Sequence, residues 1–339
     1  MVRRAHVNAG MGRNYSPELD GLRALCAFAV VAGHTLPDVV LGPGVRADVF
    51  FVLSGYLVTK SLARRIDQGG SIGDLQAFYA RRLIRIAPLL LTVVAATTLL
   101  IAALAPHLLR PFVAHAVSAA TFTSDFTAAG GLRGALHHTW TVAIEMKFYL
   151  LWPILLPFIT RTGRPATVCM LIWFAITLAR LAFGRTDADY YLPQFHSSGL
   201  MLGAALAFWR GARPPSWVGW VALVWLAAVS LIALPKAVAP LLAEAGAAVL
   251  LLNVPRLLGS PSFVWAGKRS YGTFLWHFPV MSFLGATGGP LALAVVYPTA
   301  LAMGALTYNL IETPLSRTRT EHLPVAEDRV SLTARGPAE

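Results

Sequence analysis

The chain has 339 residues, 56% hydrophobic and only 13% charged, with a mean hydropathy of +0.61. A soluble domain carries about 25% charged residues, so an ordinary globular protein is excluded and a chain embedded in a bilayer is indicated. The formal charge of +12 does not point to nucleic acid, because the basic residues flank apolar runs instead of covering one solvated face. Cys26 and Cys169 both lie inside apolar runs, so neither a disulfide framework nor a cysteine metal site is implied.

Residues 1–20 read as a short cytosolic tail, since Arg3 and Arg4 are followed by no apolar core of a cleaved leader. The apolar runs that follow are helical in length, about 20 residues each, and contain Gly and Pro; they lack the alternation of barrel strands. Candidate spans cover 22–41, 47–63, 79–105, 139–160, 166–184, 191–209, 216–234, 237–254, 268–287 and 291–311. The expected fold is therefore all-α, a polytopic membrane helical bundle of about ten transmembrane helices over residues 21–314. Residues 315–339 are polar and expected to be a disordered cytosolic tail.

Charge decides the weakly apolar stretch 107–126. If it does not cross, one set of loops holds only Arg46, Arg110, Arg133, Arg185 and Lys236, and the other holds most remaining basic residues. If it crosses, that asymmetry collapses. The reading is therefore ten spans with both termini cytosolic, and 106–138 as an outside or re-entrant loop. No internal repeat is visible, so the inverted repeats of many transporters are missing.

The first span contains Arg23 and His34. Ionisable groups at such depth are functional candidates, because burying one in a span costs about 2.5–3.5 kcal/mol on insertion scales. Their spacing of eleven residues (34 − 23) puts them on one helix face, about 16 Å apart along the axis. The second span carries Asp48 near its outer end and Ser54-Gly55 in the middle, where small residues also let helices approach closely. At the start of the third span Arg82 and Arg85 share a face, and Arg85 lies inside the apolar boundary. Planar guanidinium groups suit phosphate, so Arg23, Arg82 and Arg85 are expected to converge on a polyphosphate.

The fourth span places Glu145 about six residues in, roughly 9 Å, at a depth matching His34, with Tyr149 and Trp152 on its face. Lys147 is two residues on and does not face Glu145. A carboxylate beside an imidazole is a base-and-orienter arrangement. Later, His277 lies at mid-depth, and Glu312-Thr-Pro314 at the cytosolic exit is expected to pair with nearby arginines. His137 and His138 sit at a loop edge without a ligand at i+4, so no metal site is expected. There is no phosphate-binding Gly-rich loop and no Gly-x-Ser-x-Gly elbow.

The segments ELDGLRALCAFAVVAGH, GVRADVFFVLSGYLV, RRLIRIAP, WTVAIEMKFYLLWP, SYGTFLWHFPV and ETP, in this order, resemble the family-3 membrane acyltransferases over about residues 16–314. That group includes O-antigen and peptidoglycan O-acetyltransferases and macrolide acyltransferases. The resemblance implies that Arg23 and His34 are the critical first-span pair, that Arg82 and Arg85 are the Arg-x-x-Arg, and that Glu145 is the glutamate of the Trp140–Tyr149 block. Ala24 and Met146-Lys147 depart from the usual pattern. Some members carry a further SGNH-type domain, and here transfer is expected to finish in the membrane domain or on a partner.

The expected activity is that of a bacterial plasma-membrane O-acyltransferase. It would move an acyl group, acetyl in the first instance, from acyl-CoA to a hydroxyl of a saccharide or glycoside, without a metal. His34 would be the general base, Glu145 its orienter, and Arg23, Arg82 and Arg85 the phosphate clamp. Asp48, Ser54, Tyr149 and His277 are expected to line the pocket. Membrane lipid is the other expected partner, nucleic acid is not, and a homo-oligomer is left open. Two alternatives stay open: transient acylation of His34, and a transporter or flippase for a polar or anionic solute, which would also need intramembrane charge.

Overall fold

The computed structural model describes residues 15–42, 45–69, 72–184, 186–285 and 288–316, so most of both expected tails lies outside the described residues. The described chain is helical throughout, with no strand among the described residues. The helices are α1 (Pro17–Thr35), α2 (Val45–Asp67), α3 (Ile72–Leu104), α4 (Leu109–Ala120), α5 (Ser124–Ala129), α6 (Trp140–Arg161) and α7 (Pro165–Phe183). They continue as α8 (Pro193–His196), α9 (Ser198–Ala207), α10 (Ser216–Leu231), α11 (Ala239–Leu252), α12 (Pro261–Lys268), α13 (Ser270–Phe283) and α14 (Pro290–Thr307).

Proline sets several of the starts. α1, α7, α8, α11, α12 and α14 have Pro in the first two positions, where the missing N–H costs nothing. Proline also sets an end: Pro37 disfavours helical geometry at Leu36, and α1 stops at Thr35, six residues short of the predicted 41. The shift matters below, because it leaves His34 in the last turn of its helix.

Each predicted span falls on helix, although 191–209 is divided at Ser197 into α8 and α9. Among the described residues, four segments are long and apolar enough to cross a bilayer: Leu75–Leu104, His137–Arg161, Pro165–Phe183 and Pro290–Ser316. The others are shorter or, as in α1 and α2, more highly charged. In 106–138 the longest helix is α4, 12 residues and about 18 Å, too short for a hydrocarbon core of about 30 Å.

Large apolar side chains face outward, Leu99, Phe183 and Leu291 being 70%, 72% and 77% exposed, as a lipid-facing surface requires. Inside, α2 lies along α9 with backbones almost touching. A Cβ added to Gly55 would sit 2.0 Å from the Leu200 carbonyl oxygen, and one added to Gly203 would sit 2.0 Å from that of Val52. Without a hydrophobic drive between helices in lipid, such close approach of small residues is what holds a membrane bundle. Phe51, Phe148, Trp152 and Leu200 fill the space between α2, α6 and α9. Leu89, Val93, Leu275 and Ala300 do the same between α3, α13 and α14. Between these two packed regions the helices part around a cavity.

Candidate active site

The cavity has a volume of about 300 Å³ and runs between α1, α2, α3, α6 and α13. Its lining contains Arg23, His34, Ser54, Arg82, Arg85, Glu145 and Tyr149, seven of the nine residues singled out from sequence. The eighth, His277, is fully buried behind His34. The ninth, Asp48, lies elsewhere.

At one end stand the arginines. Arg23 Nη1 pairs with Asp20 Oδ1 at 2.9 Å, one turn back on α1. The Arg82 guanidinium is sandwiched between the rings of Phe78 and Tyr149, 5.6 and 4.9 Å from their centroids. Tyr149 in turn shares a 2.7 Å hydrogen bond with Ser54 Oγ. Glu145 lies near Ser54, and its charge acts on those of Arg82, Arg23 and Arg85. Three guanidinium groups against the carboxylates of Asp20 and Glu145 leave this end net positive. Arg23 and Arg85 also line a second cavity of about 300 Å³, with Asp20, Lys268 and Glu312. Glu312 Oε1 is buried without a hydrogen-bond partner, and among the described residues Arg85 and Arg269 act on its charge without a close ion pair.

At the other end stand the histidines. His277 Nδ1 lies against the Phe274 carbonyl oxygen. A carbonyl can only accept, so Nδ1 carries the proton and Nε2 the lone pair. That lone pair meets His34 Nδ1 at 3.2 Å. His34 therefore donates from Nδ1, and its Nε2 is left unprotonated and available to the cavity that His34 lines. His138 completes the group, 4.8 Å from His277 between ring centroids and stacked on Phe278 at 4.9 Å.

This geometry corrects the expected role of Glu145 as orienter of His34. The partner that fixes the His34 tautomer is His277. Matching depths were inferred from a first helix running to 41, whereas α1 ends at Thr35. The residue of the fourth span that reaches the imidazole pair is His138, seven positions ahead of Glu145 and so about 10 Å away along the rod.

Asp48 is the second correction. It is fully buried and lies 2.9 Å from His196 Nε2, outside the cavity lining. Its neighbours Ala47 and Phe51 do line the cavity, and the turn of the helix carries Asp48 to the α9 side. There it joins a second buried polar cluster. Arg180 donates to the Ala237 and Phe195 carbonyl oxygens and to Ser198 Oγ, and its Nη1 lies 3.6 Å from Glu244. Ser198 and Trp173 both donate to Glu244.

Lys147 points away from Glu145, as its spacing predicts, and pairs with Asp125 at 2.6 Å, tying α5 to α6. Trp152 is not in the cavity either; its indole N–H donates to Thr59 inside the α2–α6 packing. Lys236 lines the histidine end and pairs with Asp187 at 2.6 Å. That ammonium holds the exposed Asp187 carboxyl below the usual aspartate range, chiefly through its hydrogen bond.

Several residues escaped the sequence reading. Arg46, His138, Tyr190 and Tyr191 line the histidine end. Arg180, His196 and Glu244 are buried ionisable groups inside predicted spans, and the rule that flagged Arg23 and His34 applies equally to them. Arg46 was assigned to an outside loop, where nothing distinguished it from a topology anchor.

A cavity between helices is by itself compatible with many chemistries. The comparison that decides the family is a match to the acyltransferase domain model over residues 16–309. The chain belongs to the acyltransferase 3 family. Among its relatives, peptidoglycan O-acetyltransferase OatA of Listeria monocytogenes is 27% identical over 353 residues, covering 90% of this chain and 56% of that protein. The putative O-acetyltransferase SAS0844 of Staphylococcus aureus is 27% identical, covering 89% of this chain and 58% of its own length. The putative peptidoglycan O-acetyltransferase YrhL of Bacillus subtilis is 26% identical, with 89% and 55% covered. This family member thus spans little more than half the length of these curated relatives. No solved structure matches it. Its family and its apolar helices indicate a membrane-embedded member of that family.

Proposed function

We propose that this protein is an acyl-CoA-dependent O-acyltransferase of the bacterial plasma membrane that acylates a saccharide or glycoside hydroxyl, with His34 as general base. The observation that carries the reading is continuity: one cavity joins the arginine cluster to the free nitrogen of His34. Arg23 and His34 are eleven residues apart on α1, about 16 Å, a length that suits an extended pantetheine arm. The donor's pyrophosphate lies with Arg23, Arg82 and Arg85, and its nucleotide occupies the adjoining cavity that shares Arg23 and Arg85. Glu145 keeps the three guanidinium groups from repelling one another when the donor is absent.

At the far end, His34 Nε2 takes the proton of the acceptor hydroxyl as that oxygen attacks the thioester carbonyl. The C–O bond forms, the C–S bond breaks, and the thiolate leaves and recovers the proton from the imidazolium. The thiolate needs little acid help, a thiol having a pKa near about 8.5. His277 accepts from Nδ1–H throughout and so holds His34 in the productive tautomer. Acetyl is the group proposed, after the names of the relatives. The ten crossings with cytosolic termini belong to the same proposal, since they put the arginine end on the side where acyl-CoA is made.

The test uses purified protein in detergent with radiolabelled acetyl-CoA. Thioester consumption without any compartment is expected, since a flippase would need two sides, and the His34→Ala variant is expected to lose it. Undiminished consumption by that variant would end the assignment of the base.

A further inference from the structure

Three cations surround the histidine end, and they are not equivalent. Lys236 is neutralised by Asp187. Arg133 hands its Nη1 protons to the Ala128 and Leu132 carbonyl oxygens and lies over the Tyr191 ring at 4.9 Å. Arg46 has neither a carboxylate within ion-pair distance nor a hydrogen bond among the described residues. Its Nη1 is a buried donor without an acceptor among the described residues. Asp48, two residues on, lies 2.9 Å from His196 Nε2 and is not within ion-pair distance of Arg46. The guanidinium lies flat on Gly33, where a Cβ would come within 1.9 Å of Nη1, and so it stands beside His34 on the cavity wall.

A buried cation without a counter-charge is strongly unfavourable, and proteins neutralise such groups by pairing them. The Asp48 carboxylate acts on Arg46 only from beyond ion-pair distance, and the open space against the guanidinium, where a direct counter-charge can sit, is the cavity. The adjoining wall is aromatic, made of Trp140, Tyr190 and Tyr191. Rings flanked by one fixed polar group suit a ligand whose body is a sugar ring and whose orientation is set by one charge.

We propose that Arg46 is an anion subsite for the acceptor, and that the acceptor is an acidic saccharide bearing a carboxylate or phosphate close to the hydroxyl that is acylated. This rests on the reading of His34 as the base and adds the class of molecule it acts on. Anchoring the acidic group to a planar, two-pronged donor beside His34 brings one hydroxyl to Nε2, which fixes which position of the sugar is acylated.

The experiment is thermal unfolding of the purified full chain in detergent, with glucuronate, glucose 1-phosphate or glucose as probe and CoA in a separate series. Glucuronate, glucose 1-phosphate or both are expected to raise the unfolding temperature of the wild type, and glucose is not. The response to one acid alone identifies carboxylate or phosphate as the group. In Arg46→Gln that difference disappears; in Arg46→Lys part remains; in Arg82→Gln it persists. Gly33→Ala, which fills the seat of the guanidinium, is expected to weaken the response as Arg46→Gln does and serves if that variant does not fold.

Equal responses to the acids and to glucose in the wild type, or an unchanged acid response in both Arg46→Gln and Gly33→Ala, would overturn the subsite. The donor reading is tested separately, because CoA should stabilise Arg46→Gln as much as the wild type. A CoA shift without an acid shift sinks the subsite alone, and an Arg46-dependent acid shift without a CoA shift sinks the donor reading alone.

Discussion

Two groups of charges are buried in this bundle, and they are built differently. Around Glu244, Arg180 reaches two carbonyl oxygens and Ser198, and the carboxylate takes protons from Ser198 and Trp173. In the cavity, Arg46 Nη1 has no acceptor and Arg23, Arg82 and Arg85 outnumber Asp20 and Glu145. In the first group Arg180 and Glu244 face each other and fixed protein donors and acceptors, although Arg180 Nη2 and both Asp48 oxygens are without a hydrogen bond among the described residues. The second is left positive around empty space, which stabilises nothing until an anionic molecule enters. Burial alone does not separate the two; the balance of partners does.

The largest effect that would sharpen this contrast is on catalysis. His34→Ala should lower acyl transfer by about 10²–10⁴-fold with the unfolding temperature nearly unchanged, since its imidazole serves the cavity more than the packing. His277→Ala should show a smaller loss, because it removes the acceptor that holds the tautomer and leaves the base in place. A rate profile against pH displaced relative to wild type distinguishes that role from simple loss of fold.

In the other cluster the order is reversed. Arg180→Met leaves Glu244 buried beside Ser198 and Trp173 without its counter-charge, a loss of about 3–5 kcal/mol of stability. Transfer per folded molecule should stay near the wild-type value. A catalytic loss without destabilisation in this variant would break the contrast.

Arg82→Gln tests the arginine end. Losing one charge-assisted contact to a phosphate, about 1.5–3 kcal/mol, should weaken CoA binding by about 10–100-fold, measured by calorimetry in detergent. The smallest effect concerns Lys236 and Asp187, both solvent-accessible. The depressed carboxyl pKa means that this contact is made above the ordinary aspartate value of about 4 and is lost only as pH falls below it. Asp187→Asn should accordingly leave the unfolding temperature unchanged at neutral pH.

Much of this was legible from residue order. Apolar length located the helices, four of which are long and apolar enough to cross a bilayer among the described residues, because the bilayer fixes helix length more strictly than a soluble core does. The rarity of charge inside such spans pointed to Arg23, His34, Arg82, Arg85 and Glu145, and all five line one cavity. What stayed hidden depends on rotation and register. Whether Asp48 faces the cavity or α9 is a matter of one helical step, and the pairing of His34 with His277 joins residues 243 positions apart. The error over Glu145 came from a helix end: Pro37 stops α1 early, and a few residues along a rod are enough to exchange one partner for another.

The central claim is that the arginine cluster and His34 Nε2 are the two ends of one donor site. A structure of the wild-type protein determined with CoA bound measures this directly. The account predicts pyrophosphate oxygens within hydrogen-bonding distance of Arg23, Arg82 or Arg85, and the CoA sulfur at the histidine end, within reach of His34 Nε2. CoA phosphates held away from these arginines, or a sulfur that ends outside the cavity, would contradict it.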